Sequence, residues 1–309
     1  MKILVSGGTG FIGSMLLPCL IEAGHQVSML IPPGREYKAI SSSVAVVEGD
    51  AFHPLLWPGL VENNQVIINL AGSTIFRRWN KTVKDDIYTS RIHITRNIVE
   101  AVKTCHGNGK HVINASGVGY YGYRMNEPLT EESGPGSSFL AGIAVDWEGE
   151  ALKAREHGVR VVLCRFGIVM GKNGGAFKNM LPFFRYGLGG RWGDGSQWFS
   201  WIHSLDCAKA ILFLLEHRDI DGAVNLTAPN PVTNRELTHL LRHKLRRRTL
   251  LPVIPGFLMR AFLGDFADVF LKGQRVMPHK LLAGGFQFRH PTLEGCISDL
   301  LDEKTKPGI

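Results

Sequence analysis

The stretch Met1-Lys-Ile-Leu-Val-Ser-Gly-Gly-Thr-Gly-Phe-Ile-Gly13 decides the fold of this chain. The apolar run that starts at Ile3 predicts a buried parallel strand, and the apolar residues 11–21 predict the helix that follows it. Glycines stand between and beside these two elements, at positions 7, 8, 10 and 13. A strand, a glycine-rich turn and a helix in this order form the context in which such glycines indicate dinucleotide binding.

Each of three glycines has its own expected role in that turn. We expect Gly7 to take a positive φ, Gly10 to let the backbone approach a pyrophosphate, and Gly13 to let the helix pack on the strand. The helix N-terminus then offers free N–H groups and partial positive charge to the phosphates. A strand-to-helix turn that holds no ligand is the alternative interpretation of the same residues.

The composition of the 309 residues is that of a globular protein. The chain is 44% hydrophobic and 20% charged, which excludes intrinsic disorder. No apolar run approaches the roughly 20 residues of a membrane span. Because the sequence begins directly with a predicted strand, we expect no signal or transit peptide. The five cysteines are scattered without a metal-binding spacing, which predicts reduced thiols and, by default, a cytoplasmic protein.

Apolar, β-branched runs alternate with helical patterns along most of the chain. Further strands are expected at residues 27–31, 44–47, 66–70, 111–115, 159–165 and 223–226. Helices are expected at residues 11–23, 83–105, 139–157, 205–217 and 234–245. This alternation predicts an α/β protein with a Rossmann-type, doubly wound parallel sheet, whose ligand lies at the carboxyl ends of the strands.

The predicted domain organisation has two parts. Residues 1–171 form the dinucleotide-binding domain, and the helix and strand within 205–226 return to it. Residues 172–204 and 227–309 form a smaller, interrupted lobe over the cleft, where the substrate is expected. Its first part is glycine-rich and its second part carries several prolines.

The net charge of +8 raises the question of an acidic partner. The one dense basic cluster, at residues 242–248, follows an amphipathic segment and predicts the solvated end of a helix, where cations suit the helix dipole. No recognition motif accompanies it, so we expect no nucleic-acid partner.

The residues after the second and third strands bear on which dinucleotide is bound. An acidic residue usually follows the second strand when the ribose 2′-OH is free, and here none precedes Glu36. Arg35 and Lys38 lie there instead, and a guanidinium binds a 2′-phosphate well. The sequence therefore favours NADP(H) over NAD, although Arg35 as a solvated loop residue is the alternative. Asp50 is expected either to contact the adenine amino group or to stabilise a turn.

Several motifs carry a resemblance to known proteins. The segments Ser6 to Gly13, Gly49-Asp50, Asn69-Leu-Ala-Gly72 and Tyr121-Gly122 resemble those of extended short-chain dehydrogenase/reductases. Within that group, the chain is similar to the atypical "epimerase family" of NADP-binding proteins, with a C-terminal domain of unknown function at about 252–300. This further likeness is carried by Arg77-Arg-Trp79, Ser90-Arg-Ile92, Asp146-Trp-Glu148, Trp201-Ile-His203 and Gly273-Gln-Arg-Val-Met-Pro278.

The resemblance implies a set of cofactor contacts and an oxidoreductase or epimerase-like activity. The implied cofactor residues are Gly7, Thr9, Gly10, Phe11, Ile12, Gly13, Asp50, Leu70, Ala71 and Gly72, to which the sequence adds Arg35 and Arg165. The superfamily also implies a Tyr and a Lys four residues apart on one helix face, which exchange the hydroxyl proton. Leu140 and Ala144 stand at those two positions, or Phe139 and Ile143 if the alignment shifts by one residue, so the usual pair is missing in either register.

Substitute catalytic residues are expected near the end of the fifth strand. Tyr121 is one candidate for the acid or base, and a packing aromatic is its alternative. Ser116 is the other, as a donor to a carbonyl or as a strand-end cap. Arg165 is expected either to bind an anion or to form a buried ion pair. Glu148 is another candidate acid or base, and a structural salt bridge is its favoured interpretation.

Other polar residues have two interpretations each. His203 is able to titrate near neutrality, but a core histidine bonded to backbone is the favoured interpretation. Lys172, Lys178 and Arg191 are expected either to hold a phosphate or carboxylate in the small lobe or to be surface charges.

Three functional hypotheses remain open from the sequence. The leading one is an NADP(H)-dependent oxidoreductase or epimerase-like enzyme that acts on a small polar or anionic molecule. The others are a regulatory or redox-sensing protein that binds NADP(H) without turnover, and a non-redox isomerase, lyase or cyclase. By resemblance, a homodimer through the helices at 83–105 and 139–157 is also expected.

Overall fold

The computed structural model describes residues 1–35, 37, 42–105, 107, 109–247 and 250–302. As predicted, each of the seven apolar runs forms a strand of one parallel sheet. The strands are β1 (Lys2–Ser6), β2 (Gln26–Ile31), β3 (Val44–Glu48), β4 (Val66–Asn69), β5 (His111–Gly117), β6 (Pro128–Leu129), β7 (Arg160–Phe166), β8 (Ile168–Met170), β9 (Arg191–Trp192), β10 (Trp198–Phe199), β11 (Trp201–His203), β12 (Gly222–Leu226), β13 (Val232–Thr233), β14 (Val253–Ile254) and β15 (Arg275–Val276).

Eleven α-helices in the described residues connect and cover these strands. They are α1 (Phe11–Glu22), α2 (Trp57–Asn63), α3 (Lys81–Thr104), α4 (Phe139–Leu152), α5 (Gly175–Arg185), α6 (Ser204–Glu216), α7 (Asn234–Leu245), α8 (Gly256–Leu263), α9 (Asp268–Leu271), α10 (His279–Ala283) and α11 (Leu293–Leu301). All five predicted helices are present; α2 and α5, which each contain a proline, and the C-terminal α10 and α11 were not predicted. No helix in the described part of the chain is both long and apolar enough to cross a membrane.

The strand order β12-β7-β5-β4-β1-β2-β3 makes this a doubly wound sheet. The chain runs outward from β1 to β3 and then restarts at β4 on the other side of β1, so the order reverses between β1 and β4. In open α/β sheets the ligand cleft lies at the carboxyl ends of the strands at this reversal. Ser6 and Asn69 end those two strands, and the Ser6 hydroxyl donates to Asn69 Oδ1 at 2.7 Å.

Helices cover both faces of the sheet, as its fully apolar strands predict. On one face, Leu16 and Leu20 of α1 pack with Ile211 of α6. On the other face, residues of α2, α3 and α4 close a second core around Trp57, which is completely buried. The fold class predicted from the sequence is therefore confirmed.

The remaining elements form a third core beside the carboxyl edge of the sheet. Phe177 of α5, Leu237 of α7 and Ile297 of α11 pack there around Trp201. Short strand pairs connect distant segments: β9 with β14, β10 with β13, β8 with β11 and β6 with β15. We refer to the described residues of 172–204 and 227–302 as the small lobe, and the division of the chain into two separate domains stays a prediction.

Candidate functional site

The glycine turn after β1 has the geometry expected of it. Gly7 adopts a φ of +74° and accepts a hydrogen bond from the Gly10 N–H at 2.9 Å. A Cβ on Gly7 would lie 2.7 Å from the backbone of Leu70. A Cβ on Gly13 would lie 2.5 Å from Gly8, so any larger residue would push α1 off the turn.

The N-terminus of α1 is open for an anion. Gly10 precedes the helix, no side chain caps it, and no acidic residue lies in its first turn. The first N–H groups of a helix have no partner within the helix and carry partial positive charge. With Thr9 beside them in the turn, these N–H groups fit the pyrophosphate of a dinucleotide.

A cavity of about 580 Å³ extends from this turn to the small lobe. Its first end is lined by Gly7, Gly10, Phe11, Ile12 and Gly13, and by Leu70, Ala71 and Gly72 after β4. The structure thus brings together eight of the predicted cofactor residues. At the far end, Met180, Trp192, Phe199 and Phe270 close the cavity with apolar surface.

Thr9, Arg35 and Asp50 lie outside this lining. Arg35 is exposed in the loop after β2, while Lys38 falls outside the described residues. Asp50 is also exposed, and its carboxylate accepts a hydrogen bond from the Phe52 N–H at 2.9 Å. That bond is typical of a turn aspartate, the alternative that the sequence left open.

The positions of the missing catalytic pair face the cavity. Leu140 and Ala144 of α4 line it together with Ile143 and Trp147. Apolar side chains therefore occupy the place where the superfamily has a phenol and an ammonium. The homodimer through this helix stays a prediction by resemblance.

Ser116 lines the cavity at the end of β5 and is part of a buried polar chain. Its hydroxyl donates to Glu148 Oε1 at 2.6 Å. Glu148 is bound by Arg165 through both carboxylate oxygens, at 2.8 and 2.7 Å. Because the Ser116 hydroxyl donates its one hydrogen bond to the carboxylate, its lone pairs remain to accept a hydrogen bond from a ligand.

Arg165 and Tyr121 form the inner part of this chain. Arg165 Nη1 donates to the Tyr121 hydroxyl at 2.9 Å, and that hydroxyl donates to Asn225 Oδ1 at 2.7 Å. Neither Arg165 nor Tyr121 is among the residues that line the 580 Å³ cavity, although Tyr121 lines a neighbouring cavity of about 490 Å³. Burial raises the pKa of Tyr121 to about 12. The geometry therefore supports the alternatives, a buried ion pair and a packed aromatic, and gives no support to Arg165 as a cofactor contact.

Arg91 of α3 is a cavity residue that the sequence did not identify as functional. Its Nη1 donates to the carbonyls of Ser73 and Ile87 at 3.1 and 3.0 Å, and its guanidinium lies 5.1 Å from the ring centre of Trp147. Burial lowers the pKa of Arg91 to about 10. The Ser-Arg-Ile motif contained this residue, but a helical arginine is by itself typical of a solvated face.

A second, more polar cavity of about 490 Å³ adjoins the first, and both are lined by Tyr123 and Lys272. Lys84 also lines it, paired with Asp265 at 2.7 Å. The cations expected to hold an anion in the small lobe, Lys172, Lys178 and Arg191, line neither of these two cavities.

His203 lies away from the cleft, in the contact between β11 and α11. Its Nδ1 accepts a hydrogen bond from the Leu205 N–H at 3.1 Å, and its Nε2 lies 3.3 Å from Asp299 Oδ2. The ring also packs on His290, 4.1 Å away. This is the core histidine bonded to backbone that the sequence favoured.

The parallel sheet, its glycine turn and the cleft define the class: a Rossmann-type α/β protein. The family follows from comparison with known proteins. A family model described as the NAD dependent epimerase/dehydratase family matches residues 3–226, and a model of a domain of unknown function, DUF1731, matches residues 254–300. The chain belongs to this epimerase family, as its motifs predicted.

Relatives in several organisms cover almost the whole chain. An epimerase family protein SDR39U1 homolog of Arabidopsis thaliana, described as chloroplastic, is 36% identical over 97% of this chain and 87% of its own length. Epimerase family protein YfhF of Bacillus subtilis is 36% identical over 99% of this chain and all of its own. The crystal structure of human epimerase family protein SDR39U1 with NADPH matches with a TM-score of 0.83 and 31% identity, over 97% of this chain and 99% of the human one.

Proposed function

We propose that this protein binds NADP(H) in the 580 Å³ cavity and uses it in an oxidoreductase or epimerase-like reaction. The observation that carries the proposal is the continuity of that cavity, from the open N-terminus of α1 to Ser116 at the end of β5. A dinucleotide with its pyrophosphate at the first end would reach the second with its nicotinamide. The human relative, whose structure contains NADPH, supports the phosphorylated cofactor.

The bound cofactor would supply or accept a hydride. The chain's own contribution starts with Leu140, Ile143 and Ala144, which exclude water from the reacting end. We propose that Ser116 Oγ accepts the proton of a substrate hydroxyl while its own proton passes to Glu148 Oε1. Arg165 orients the Glu148 carboxylate for this transfer.

The lining also bears on the substrate. Around Ser116 the walls are mostly apolar, with Trp147, Ile168 and Phe199 among them. An apolar body at the reacting carbon fits this end better than the small polar molecule expected from the sequence. We propose that the polar cavity beside it, where Lys84 and Lys272 are each paired with an aspartate, takes a polar or anionic part of the substrate.

The cofactor is tested by anaerobic titration with NADPH and NADH, followed by nicotinamide fluorescence. We expect NADPH to bind more tightly than NADH. The Arg35→Asp variant should weaken NADPH at least about tenfold, because a bidentate contact to the 2′-phosphate is replaced by repulsion. Arg218→Asp, an exposed change before β12 at the opposite edge of the sheet, is the matched control. If neither nucleotide binds, the proposal fails.

A second candidate function is NADP(H) binding without turnover, as in a redox sensor. The observation in its favour is that Leu140 and Ala144 face the cavity in place of an acid and a base. The Ser116→Ala and Glu148→Gln variants separate the two candidates once a substrate is found. Enzyme turnover should fall about 100-fold or more in both, with NADPH affinity unchanged. A sensor would instead show a partner whose affinity differs between NADP⁺ and NADPH.

A further inference from the structure

Large apolar side chains are exposed in neighbouring segments of the small lobe. Phe257 and Phe262 of α8 are 71% and 75% exposed, and Leu250 and Tyr186 are each 78% exposed. Met259 of the same helix is buried and holds the helix on the protein. Single exposed apolar residues are ordinary, but a cluster of this density indicates a surface that binds something.

Backbone contacts hold these segments together. The Leu250 N–H donates to the Gly187 carbonyl at 2.8 Å, just after α5. β14 pairs in parallel with β9, and α8 begins two residues after β14. We call the exposed side chains of residues 183–188, 246–247, 250–251 and 257–262 the basic apolar face.

The charged residues within the segments that form this face have one sign. Residues 181–191 and 241–263 contain eight Lys or Arg and no Asp or Glu, in a chain that has 27 acidic residues. Arg185, Arg246 and Arg247 are exposed, and none of them has an ion-pair partner within the described part of the chain. Arg260 is paired with Asp268 at 3.2 Å, and Lys244 with Glu294 at 2.7 Å.

We propose that the basic apolar face binds the surface of a bilayer that contains anionic phospholipids. Exposed Phe and Leu beside unpaired Arg favour binding to such a surface, because the rings enter the acyl boundary while the guanidiniums contact the headgroup phosphates. A second copy of the chain would bring like charges together. A polar acidic partner would leave Phe257, Phe262 and Leu250 in water. This binding is independent of the proposed cofactor chemistry.

The experiment is sedimentation of the full-length protein with sucrose-loaded vesicles of phosphatidylcholine, with and without 30% phosphatidylglycerol. We expect binding to the anionic vesicles only, and weakening of that binding by salt. The Phe257→Ser/Phe262→Ser variant should lower the partition coefficient at least about tenfold through lost apolar insertion. Arg246→Glu/Arg247→Glu should lower it by a similar factor.

The matched controls change equally exposed residues elsewhere. Leu55→Ser/Met125→Ser replaces apolar side chains that are 80% and 78% exposed, and it should bind vesicles as the wild type does. Circular dichroism checks that each variant is folded. The proposal is overturned if the wild type does not bind anionic vesicles, or if both face variants bind as strongly as the controls. Self-association without lipid, abolished by Phe257→Ser/Phe262→Ser and accompanied by no vesicle binding, would assign the face to a second copy instead.

Discussion

At the scale of single residues, substitution of Tyr121 tests whether the buried polar chain is structural or catalytic. Its hydroxyl bonds both Arg165 and Asn225, so Tyr121→Phe leaves two buried polar groups short of a partner. We expect this variant to lower the free energy of unfolding by about 1–3 kcal/mol, measured by urea denaturation, with NADPH affinity unchanged.

Tyr88→Phe is the control for this prediction, because Tyr88 is a surface tyrosine that contacts Asp146. It should change stability by less than about 0.5 kcal/mol. If Tyr121→Phe instead abolished turnover and left stability unchanged, the hydroxyl would be the acid or base that the sequence proposed.

A substitution at Gly13 tests how tightly α1 packs on the glycine turn. A Cβ there would lie 2.5 Å from both Cα and O of Gly8, in a contact that has no flexible side chain to yield. We expect Gly13→Ala to destabilise the protein by about 1–3 kcal/mol and to weaken NADPH binding.

Gly59→Ala provides the comparison within helix α2. A Cβ on Gly59 meets nothing within 4 Å, and its φ is not positive. This change should therefore be neutral or stabilise the protein by up to about 1 kcal/mol, as Ala does in a helix. Equal effects of the two substitutions in urea denaturation would show that Gly13 is not tightly packed.

At the scale of elements, the sequence predicted whatever depended on local patterns. The seven sheet strands are apolar runs, and α7 begins and ends where its pattern does, at Asn234 and Leu245. The two-residue strands of the small lobe were not predicted, because their pairing partners lie far away in the chain, as with β9 and β14.

The same distinction applies to the candidate site, where local motifs were predicted and contacts between distant residues were not. The glycine turn is a local motif, so its residues were found, whereas the chain from Ser116 to Glu148 joins residues 32 positions apart. Arg91 was missed because its cavity position comes from the tertiary packing of α3 against Trp147. The sequence shows that Leu140 and Ala144 replace two residues of a motif. Only the fold shows that they also face the cleft.

The junction of β11, α6 and α11 should make stability depend on pH. Burial and the neighbouring His290 lower the pKa of His203 to about 4, although Asp299 and Asp206 oppose this. The unfolded chain, with an ordinary histidine pKa near 6.5, therefore binds more protons than the folded one between about pH 6.5 and 4. The free energy of unfolding should fall as pH falls through that range, by up to about 1.4 kcal/mol per pH unit.

The His203→Asn variant isolates this contribution. Asn is a good N-cap and is able to keep the bond to the Leu205 N–H that begins α6, while it removes the titrating ring. Urea midpoints between pH 7 and 4.5 should depend less on pH in this variant than in the wild type. The exposed His239→Asn is the control and should keep the wild-type slope. Equal slopes in all three proteins would rule out His203 as the source.

At the scale of the whole molecule, the sheet and the small lobe line the same cavity. Its lining includes Gly7 and Gly13 at the turn, but also Trp192 and Phe270, which belong to segments outside the sheet. A ligand that fills only the adenine end would contact the turn and would leave Trp192 and Phe270 without a ligand contact. A complete dinucleotide would contact both the turn and these two residues, and would therefore order both parts of the lining.

Hydrogen exchange should therefore distinguish NADPH from its adenine half. We expect saturating NADPH to slow amide exchange in the turn after β1 and also at β9 and in the 269–274 segment, because the nicotinamide end reaches the walls of the small lobe. Adenosine 2′,5′-bisphosphate, which lacks the nicotinamide half, should protect the turn alone. Identical protection by the two ligands would mean that the nicotinamide does not reach the small lobe. The chemistry would then have to be sought nearer the glycine turn than at Ser116.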